Sequence, residues 1–423
     1  MRRTRLTASC ALIAALALGA CSTSAPTSSS SASGTSGASG ASGTIAAARG
    51  VDPAKKTINL GVIAPLTGPI APLTGPAVAG MTSFWKGLND RGGIDGWKVE
   101  LNVKDNAFSP QTTKVAYQGM HNDIAMLGQV FLGSTFTDTQ ADNMVMASGQ
   151  DISLTQLSNN ILVVPPLRFE AQDIVQYWKD NGAQSGDKAA IAYFDITLGH
   201  DAAKGFTSAV SSLGLTKAAD IPFSNDTTDF TSVVQRLKDS GAKYVFLAGS
   251  YPENQQILTK AAQLGYTPTW GLSGLAGFNA ALVGTVPQSE LDKTFVTQAL
   301  ALKTDDVKAM PQLLADAKKY QPQAPVDTNF VLGYATASIE SNLLGKAIAA
   351  GSLSPDTLMK TLTSLSGVDT GGLLPVLSYG STPATRIPSR ATNVYAIDPS
   401  SSTKLKRVAS DVVSQSAKDD DLS

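Results

Sequence analysis

Short apolar runs alternate along this chain with longer segments in which apolar residues recur every three or four positions. The first run, Thr57–Ala64, has the composition of a β-strand and ends in a Pro/Gly loop at 65–69. A helical pattern follows over 77–90, and a glycine-rich turn at 91–96 ends it. By the same criteria we predict strands at 97–105, 124–130 and 189–194 and helices at 111–120, 137–146 and 201–212.

The segment 228–274 shows this alternation most clearly. Asp229 is placed to cap a helix, the apolar residues Val233, Val234 and Leu237 share one of its faces, and Gly241 ends it. A buried strand at 244–248, a loop at 249–253 and a second helix up to Leu264 follow. Strands that alternate with helices of this length indicate parallel sheets with helices on both faces. The predicted fold class is therefore α/β, with doubly wound parallel sheets.

The length of the chain predicts two such units. It has 423 residues, whereas a single hydrophobic core rarely serves more than about 300. Open parallel sheets bind ligands beside the carboxyl ends of their strands. The candidate binding loops are therefore the segments that follow predicted strands, namely 65–73, 130–135, 149–151, 195–199, 249–253 and 271–274.

Composition excludes several classes of function. The net charge is −1, only 16% of the residues are charged and Lys and Arg do not cluster, so we expect no nucleic acid partner. Both cysteines, Cys10 and Cys21, precede the predicted body. The two histidines, His121 and His200, have no neighbour at the spacing of a metal site. We therefore expect no metal, no other cofactor and no enzymatic activity.

The N-terminus has the features of an export signal in the usual order. Three arginines within residues 1–5 precede an apolar run at 6–20, which is too short to span a bilayer. The small residues Gly19 and Ala20 lead to Cys21, and this end resembles the lipobox of bacterial lipoproteins. In that family the cysteine receives diacylglycerol and becomes the first residue after cleavage. The alternative is an ordinary secretory signal that happens to contain a cysteine.

Residues 21–56 are predicted to tether the body to that lipid. Residues 22–43 are nearly all Ser, Thr, Ala, Gly and Pro and carry no charge, a composition that buries too little apolar surface to fold. We expect residues 1–20 to be removed and Cys21 to anchor the protein to the cell membrane. The body would then lie on the extracytoplasmic face, in a periplasm or at the cell surface. At the other end, 411–423 is predicted to be a solvated polar tail.

Between residues 57 and 409 the chain resembles the solute-binding proteins of ABC importers for leucine, isoleucine and valine. The opening strand and loop of that family resemble 58–69, and its N-x-x-G-G-I-x-G turn resembles 89–96. Its second-lobe signature resembles Asp229–Phe230 together with 245–249 and Pro252–Glu253. The order and spacing of these segments along most of the chain carry the resemblance.

The resemblance implies two lobes of the type I periplasmic-binding fold, joined by a three-crossing hinge. The crossings are expected at 162–166, 295–299 and 369–375. Lobe 1 would comprise 57–164 and 298–368, and lobe 2 would comprise 165–297 and 369–410. As a monomer, the protein would capture a small solute, amino-acid-like or related, between the lobes and deliver it to an ABC permease. The alternative is a sensor on the same fold that signals to another membrane partner.

The resemblance also implies where the solute is held. In amino-acid-binding members, hydroxyls and backbone amides of the first lobe hold the carboxylate, and an acidic residue of the second lobe holds the ammonium group. The hydroxyl position of the first loop falls on Leu132, the threonine position of the second on Asp151 and the acid position on Ser273. The complete set of expected contacts is Leu73, Leu132, Gly133, Ser134, Thr135, Gln150, Asp151, Leu198, Ser250, Tyr251 and Ser273.

These residues also have purely structural interpretations. Asp151 could cap a helix, Ser134 and Thr135 could cap the next one, and Ser273 could be a turn residue. The glycines of 271–277 resemble a nucleotide-binding loop, but their spacing does not fit one. Without an acid at Ser273, an ammonium group would be desolvated without a partner unless Asp151 replaced it. We therefore hypothesise that the solute is less charged or more apolar than an ordinary branched-chain amino acid, or places a cation at Asp151.

Overall fold

The computed structural model describes residues 44–68, 70–130, 133–224 and 226–422. The predicted signal peptide, the lipidation site Cys21 and most of the tether lie outside the described residues. The folded body begins before residue 57, where the composition of the tether predicted its start. Ile45 packs into a hydrophobic core, and the short strand β1 (Val51–Asp52) pairs with β2 (Thr57–Ala64). Residues 44–56 therefore belong to the body and not to the tether.

Within the described residues, the first sheet has six strands. Besides β1 and β2 it contains β3 (Lys98–Asp105), β4 (Met126–Val130), β5 (Met146–Ala147) and β6 (Asn160–Ile161). The order is β3-β2-β4-β5-β6 with all strands parallel, and β1 is antiparallel to β2. Leu60 and Val62 enter one apolar cluster and Ile63 another, because alternate side chains of a strand point to opposite faces.

The second sheet has seven strands within the same ranges. They are β7 (Lys188–Phe194), β8 (Thr216–Phe223), β9 (Tyr244–Ala248), β10 (Thr269–Ser273), β11 (Thr294–Gln298), β12 (Thr392–Ile397) and β13 (Leu405–Val412). The order is β8-β7-β9-β10-β11-β12-β13. The first five strands are parallel, β12 is antiparallel to β11, and β13 is antiparallel to β12. Both faces of β9 are apolar, since Val245 and Phe246 enter different clusters.

Helices cover both faces of each sheet. They are α1 (Ala71–Asp90), α2 (Pro110–Gln118), α3 (Phe136–Ala141), α4 (Leu167–Asp180), α5 (Thr197–Ser212), α6 (Thr231–Ser240), α7 (Tyr251–Gln263), α8 (Gln288–Leu291), α9 (Met310–Tyr320), α10 (Thr328–Ala349), α11 (Pro355–Leu362) and α12 (Gln415–Asp419). On the first sheet, α1, α9, α10 and α11 pack against one face and α2 against the other. On the second, α4 and α5 lie opposite α6, α7 and α8. The predicted doubly wound α/β class is confirmed, and each sheet with its helices is called a lobe below.

Several boundaries differ from the predictions. The helix after Asp229 begins at Thr231, and the Asp229 carboxylate accepts a hydrogen bond from the Thr231 N–H at 2.8 Å. Gly241 ends that helix as predicted, with a φ of 71° that glycine adopts without strain. The predicted helix at 137–146 is wrong beyond Ala141, because Asn143 turns the chain with a φ of 49° and Met146 lies in β5.

The chain passes between the two sheets three times. The first passage is at 162–166, between β6 and α4, and the second follows the end of β11 at Gln298. The third is later than expected. Residues Leu373, Leu377 and Tyr379 still pack in the core of the first lobe, and β12 begins only at Thr392.

The C-terminal segment is not a solvated tail up to Asp420. Residues up to Val412 form β13, and Ala417 of α12 is fully buried. Asp420 forms an ion pair of 2.7 Å with Arg168 of α4. The acidic run at 419–421 is thus attached through Asp420 to the buried side chain of Arg168. Among the described helices, none is both long enough and apolar enough to cross a membrane.

Candidate functional site

The carboxyl ends of the parallel strands lead into the candidate loops in both lobes. In the first lobe, β2 leads to 65–68, β4 to the turn at Gly133–Thr135 and β5 to 148–151. In the second lobe, β7 leads to 195–196, β9 to 249–250 and β10 to 274–279. These are the edges at which open parallel sheets bind ligands. Leu132, one of the expected contacts, lies outside the described residues.

The turn at Gly133–Thr135 carries two hydroxyls that have no hydrogen-bond partner among the described residues. Thr135 is fully buried and Ser134 is half-buried, and neither side-chain oxygen has a hydrogen bond to any described residue. Thr135 directly precedes α3 but does not cap it, so the capping interpretation fails there. An unpaired buried hydroxyl costs about 1–3 kcal/mol. A ligand oxygen that reached this turn would therefore recover a hydrogen bond.

Gln150 and Asp151 have defined partners in the loop after β5. The Gln150 side-chain amide donates to the Pro165 carbonyl at 3.1 Å and to the Glu170 carboxyl at 2.9 Å. Asp151 caps a 3-10 turn at Ile152–Gln156, since its carboxylate accepts from the Ser153 N–H at 2.8 Å. Asp151 therefore has the capping role that was one of its two interpretations from the sequence. Its charge also acts on Asp201 of α5, where burial is the main cause of a raised pKa and Asp151 adds to it.

Three of the four contacts expected from the second lobe, Leu198, Ser250 and Tyr251, lie at two helix starts. Ser250 donates its hydroxyl to Glu253, and Tyr251 is the first residue of α7, not a loop residue. The Tyr251 side chain packs against the core of the second lobe, and its N–H donates to the Ala276 carbonyl at 2.8 Å. Leu198, in the first turn of α5, also packs against core residues. In the first lobe, by contrast, Leu73 is 56% exposed.

The glycine run at 271–277 is explained by close packing. A Cβ at Gly271 would lie 2.7 Å from Ile174, and one at Gly274 would lie 2.5 Å from Gln298. At Gly277 the nearest atom would be the Ser273 carbonyl oxygen, at 2.6 Å. These contacts are shorter than real Cβ atoms tolerate. The glycines therefore let helix, strand and loop approach one another, which supports the rejection of a nucleotide loop.

Glu170 is the functional candidate that the sequence did not reveal. Ser273, expected to replace an acid, is 97% buried at the end of β10, and the carboxyl of Glu170 reaches its neighbour Gly274. The Gly274 N–H donates to one carboxyl oxygen at 3.3 Å and the Gln150 amide donates to the other. Burial raises the pKa of Glu170 to about 8, although the hydrogen bonds from Gln150, Gly274 and Ser273 oppose the rise.

A periodic pattern in α4 could have indicated this position. Glu170, Ile174 and Trp178 are spaced by four residues and therefore share one helix face. Ile174 and Trp178 lie against Gly271 of β10. An acidic residue on an otherwise apolar helix face is a candidate for a buried functional group. That pattern does not, however, predict that this helix face packs against β10.

A model of the family described as periplasmic binding protein matches residues 57–403. The chain belongs to the periplasmic binding protein family. Leu/Ile/Val-binding protein homolog 3 of Brucella melitensis biotype 1 is 27% identical to it over 238 residues, which are 51% of this chain and 64% of that protein. The match thus spans slightly less than two thirds of that relative.

Two solved structures resemble this periplasmic binding protein in fold. A fatty acid ABC transporter substrate-binding protein from Thermomonospora curvata has a TM-score of 0.77 at 22% identity, covering 90% of this chain and 97% of the other. A branched chain amino acid ABC transporter from Thermus thermophilus with bound valine has a TM-score of 0.71 at 14% identity, covering 86% and 98%. The predicted type I periplasmic-binding fold is confirmed.

Two surface recesses of this binding protein lie away from the candidate loops. One of about 420 Å³ is lined by residues of α4, α5 and the C-terminal segment, including Arg168 and Lys204. Another of about 410 Å³ lies at the amino ends of β9 and β10, the edge opposite to the one that binds ligands in such sheets. Among the described residues, no three His, Cys, Asp or Glu side chains come together as a metal site.

Proposed function

We propose that this periplasmic binding protein captures a small solute between the strand-end loops of its two lobes and delivers it to an ABC permease, without chemical conversion of the solute. The observation that carries the proposal is the pair of buried, unpartnered hydroxyls of Ser134 and Thr135 at the carboxyl edge of the first sheet. The contacts from Gln150 through Glu170 to Gly274 bring loops of both lobes together beside that edge.

Binding and closure are coupled in such a two-lobed protein. A solute that contacts loops of both lobes binds the closed arrangement more tightly than the open one and therefore shifts the population towards closure. The permease would recognise the closed arrangement. No covalent step is needed for capture and release.

The proposed solute is an apolar carboxylate. Exposed apolar side chains follow the carboxyl ends of three parallel strands: Leu73 after β2, Phe108 after β3 and Ile196 after β7. The hydroxyls of Ser134 and Thr135 would donate to the carboxylate. The position at which amino-acid-binding members place an acid for the ammonium group is Ser273 here, and both oxygens of the nearby Glu170 already accept hydrogen bonds from the protein. The names of the structural relatives, one a fatty acid binder and one with bound valine, are compatible with an apolar solute body.

Calorimetric titration tests this proposal with octanoate, benzoate, leucine and valine as probes. We expect octanoate or benzoate to bind and to raise the unfolding temperature, because a ligand at a hundred times its Kd stabilises by about 2.7 kcal/mol. Tight binding of leucine or valine with no binding of the two acids would refute the proposed solute class. Turnover of a bound probe would refute the binding role itself.

We further propose that Cys21 carries the lipid anchor. The support is the order of arginines, apolar run and small residues before it. Mass spectrometry of the membrane-extracted protein should show a diacylglycerol-modified cysteine as its first residue, and Cys21→Ser should prevent that modification. An unmodified N-terminus beyond residue 21 would show that the segment is an ordinary secretory signal.

A further inference from the structure

Glu170 lies where the two lobes meet. It is in the first turn of α4 and only 2% exposed. One carboxyl oxygen accepts a hydrogen bond from Gln150, in the loop after β5 of the first sheet, at 2.9 Å. The other accepts, at 3.3 Å, the longer branch of a shared hydrogen bond from the N–H of Gly274, directly after β10 of the second sheet, which also donates to the Thr297 carbonyl at 2.8 Å. A single side chain thus joins one strand-end loop from each lobe.

The helix that carries Glu170 is fixed to the second lobe. Ile174 and Trp178, one and two turns further along α4, contact Gly271 of β10 and belong to the second-lobe core. Any movement of the first lobe therefore changes the distance between Gln150 and a carboxyl that moves with the second lobe. The same Gln150 amide also donates to the Pro165 carbonyl, in the first passage between the sheets.

Folding alone does not favour a carboxyl at this place. Among the described residues its hydrogen-bond partners are Gln150, Ser273 and Gly274, none of which is a cation. On its own helix, Asp173 is a second buried acid, and the buried cation Arg168 is paired with Asp201 and Asp420. An apolar side chain of similar size is often as stable as a buried ionisable group or more so. Such a side chain would not accept hydrogen bonds from both loops.

We propose that Glu170 is a positioning residue that holds the strand-end loops of the two lobes at a defined separation, and so sets how far the lobes open. This inference rests on the proposed function, because the two loops are those that would enclose the solute. Glu170 itself does not contact the solute. Its two hydrogen bonds orient Gln150 on one side and the Ser273–Gly274 turn on the other.

The distance between the lobes, measured without solute, tests this inference. Spin labels at Val115→Cys on α2 and Ser232→Cys on α6, both exposed, report on the first and second lobe respectively. The full chain also carries Cys10→Ser and Cys21→Ser, so that only the new cysteines react. We expect Glu170→Ala to broaden the distance distribution and shift its mean. Glu170→Gln keeps one carbonyl oxygen, which replaces only one of the two accepting carboxyl oxygens, so its distribution should lie between those of the parent and of Glu170→Ala.

Control variants separate this effect from lost stability. Glu340 of α10 is a fully buried acid beside Gly128 within the first lobe. Glu340→Ala should lower the unfolding temperature and leave the distance distribution unchanged. If Glu170→Ala does not fold, Gln150→Ala is the second variant. It removes the hydrogen bond between Gln150 of the first lobe and Glu170, at a half-exposed position, and should still broaden the distance distribution. A parental distribution in the folded Glu170→Ala or Gln150→Ala protein would overturn the inference.

The measurement distinguishes failure of this inference from failure of the proposed function. If none of the solute probes binds, the distance distributions still report whether Glu170 couples the lobes. If a probe binds but the Glu170 variants keep the parental distribution, the binding role stands and the positioning role is refuted.

Discussion

Arg168 and Asp420, 252 positions apart in the sequence, form an ion pair of 2.7 Å that attaches the C-terminus to the first turn of α4. Arg168 also pairs with Asp201 of α5 at 2.6 Å, and its side chain is only 4% exposed. Asp420 in turn accepts a hydrogen bond from Gln172 at 3.0 Å. The C-terminal segment thus contributes a charge to a buried network with α4 and α5.

Replacing this acid should destabilise the fold. Asp420→Ala removes a carboxylate that pairs with the buried Arg168, so we expect a loss of about 1–3 kcal/mol in the free energy of unfolding. Urea unfolding measures the loss. The neighbouring Asp419→Ala, at an exposed position, should change it by less than about 0.5 kcal/mol. Equal effects of the two substitutions would show that the ion pair has no special role.

The pH dependence of stability should contain a contribution from Glu170. Its pKa is raised from 4.5 to about 8 by burial, so the folded state holds a proton that the unfolded state releases above pH 4.5. The stabilising contribution is therefore complete below about pH 4.5 and falls as the pH rises towards 8, by about 1.4 kcal/mol for each unit.

Glu170→Gln removes this titration. The free energy of unfolding of Glu170→Gln, relative to the parent, should rise between pH 5 and 8 and stay constant above about pH 8. Urea unfolding at several pH values is the measurement. Glu340→Gln provides a second case, since burial raises the pKa of Glu340 well above its usual value. A difference between Glu170→Gln and parent that does not depend on pH would contradict the raised pKa.

Substitutions of Ser134 and Thr135 should change the affinity for the solute without lowering the free energy of unfolding. Ser134→Ala and Thr135→Val remove buried donors that have no acceptor among the described residues, so stability should be unchanged or slightly higher. Binding of the acid probe should weaken about tenfold, which corresponds to about 1.4 kcal/mol. Thr139→Val is the control, because its hydroxyl donates to the Phe136 carbonyl at 2.8 Å and its loss should lower stability but not affinity. Unchanged affinity in all three variants would remove the turn from the proposed site.

Substitutions of Asp151 distinguish its role as a helix cap from a role in binding a charged group of the solute. Asparagine also accepts a hydrogen bond from a helix N-terminus, so Asp151→Asn should retain stability, whereas Asp151→Ala should lose about 0.5–2 kcal/mol. If the solute carries no cation, Asp151→Asn should bind the acid probe as the parent does. A large loss of affinity in Asp151→Asn, measured by calorimetry, would indicate that the carboxylate holds a positive group on the solute.

The local pattern of the chain predicted the fold class and most element positions. Strand β9 at Tyr244–Ala248 and the glycine end of α6 at Gly241 were predicted correctly, because strand hydrophobicity and left-handed glycine depend on neighbouring residues. Boundaries were wrong where the pattern is ambiguous. The apolar residues Met144 and Met146 fit a helix or a short buried strand equally well, and sheet pairing selected the strand.

The strand-end loops and the hydroxyls at Ser134 and Thr135 also follow from local order along the chain, since each loop comes directly after an apolar run. Which loops come together in the folded protein does not follow from that local order. The meeting of Gln150, Glu170 and Gly274, and the attachment of Asp420 to Arg168, arise only when helices dock on sheets and two lobes share three passages. Periodicity shows which face of a helix is buried, whereas the identity of the surface that buries it depends on contacts between residues far apart in the sequence.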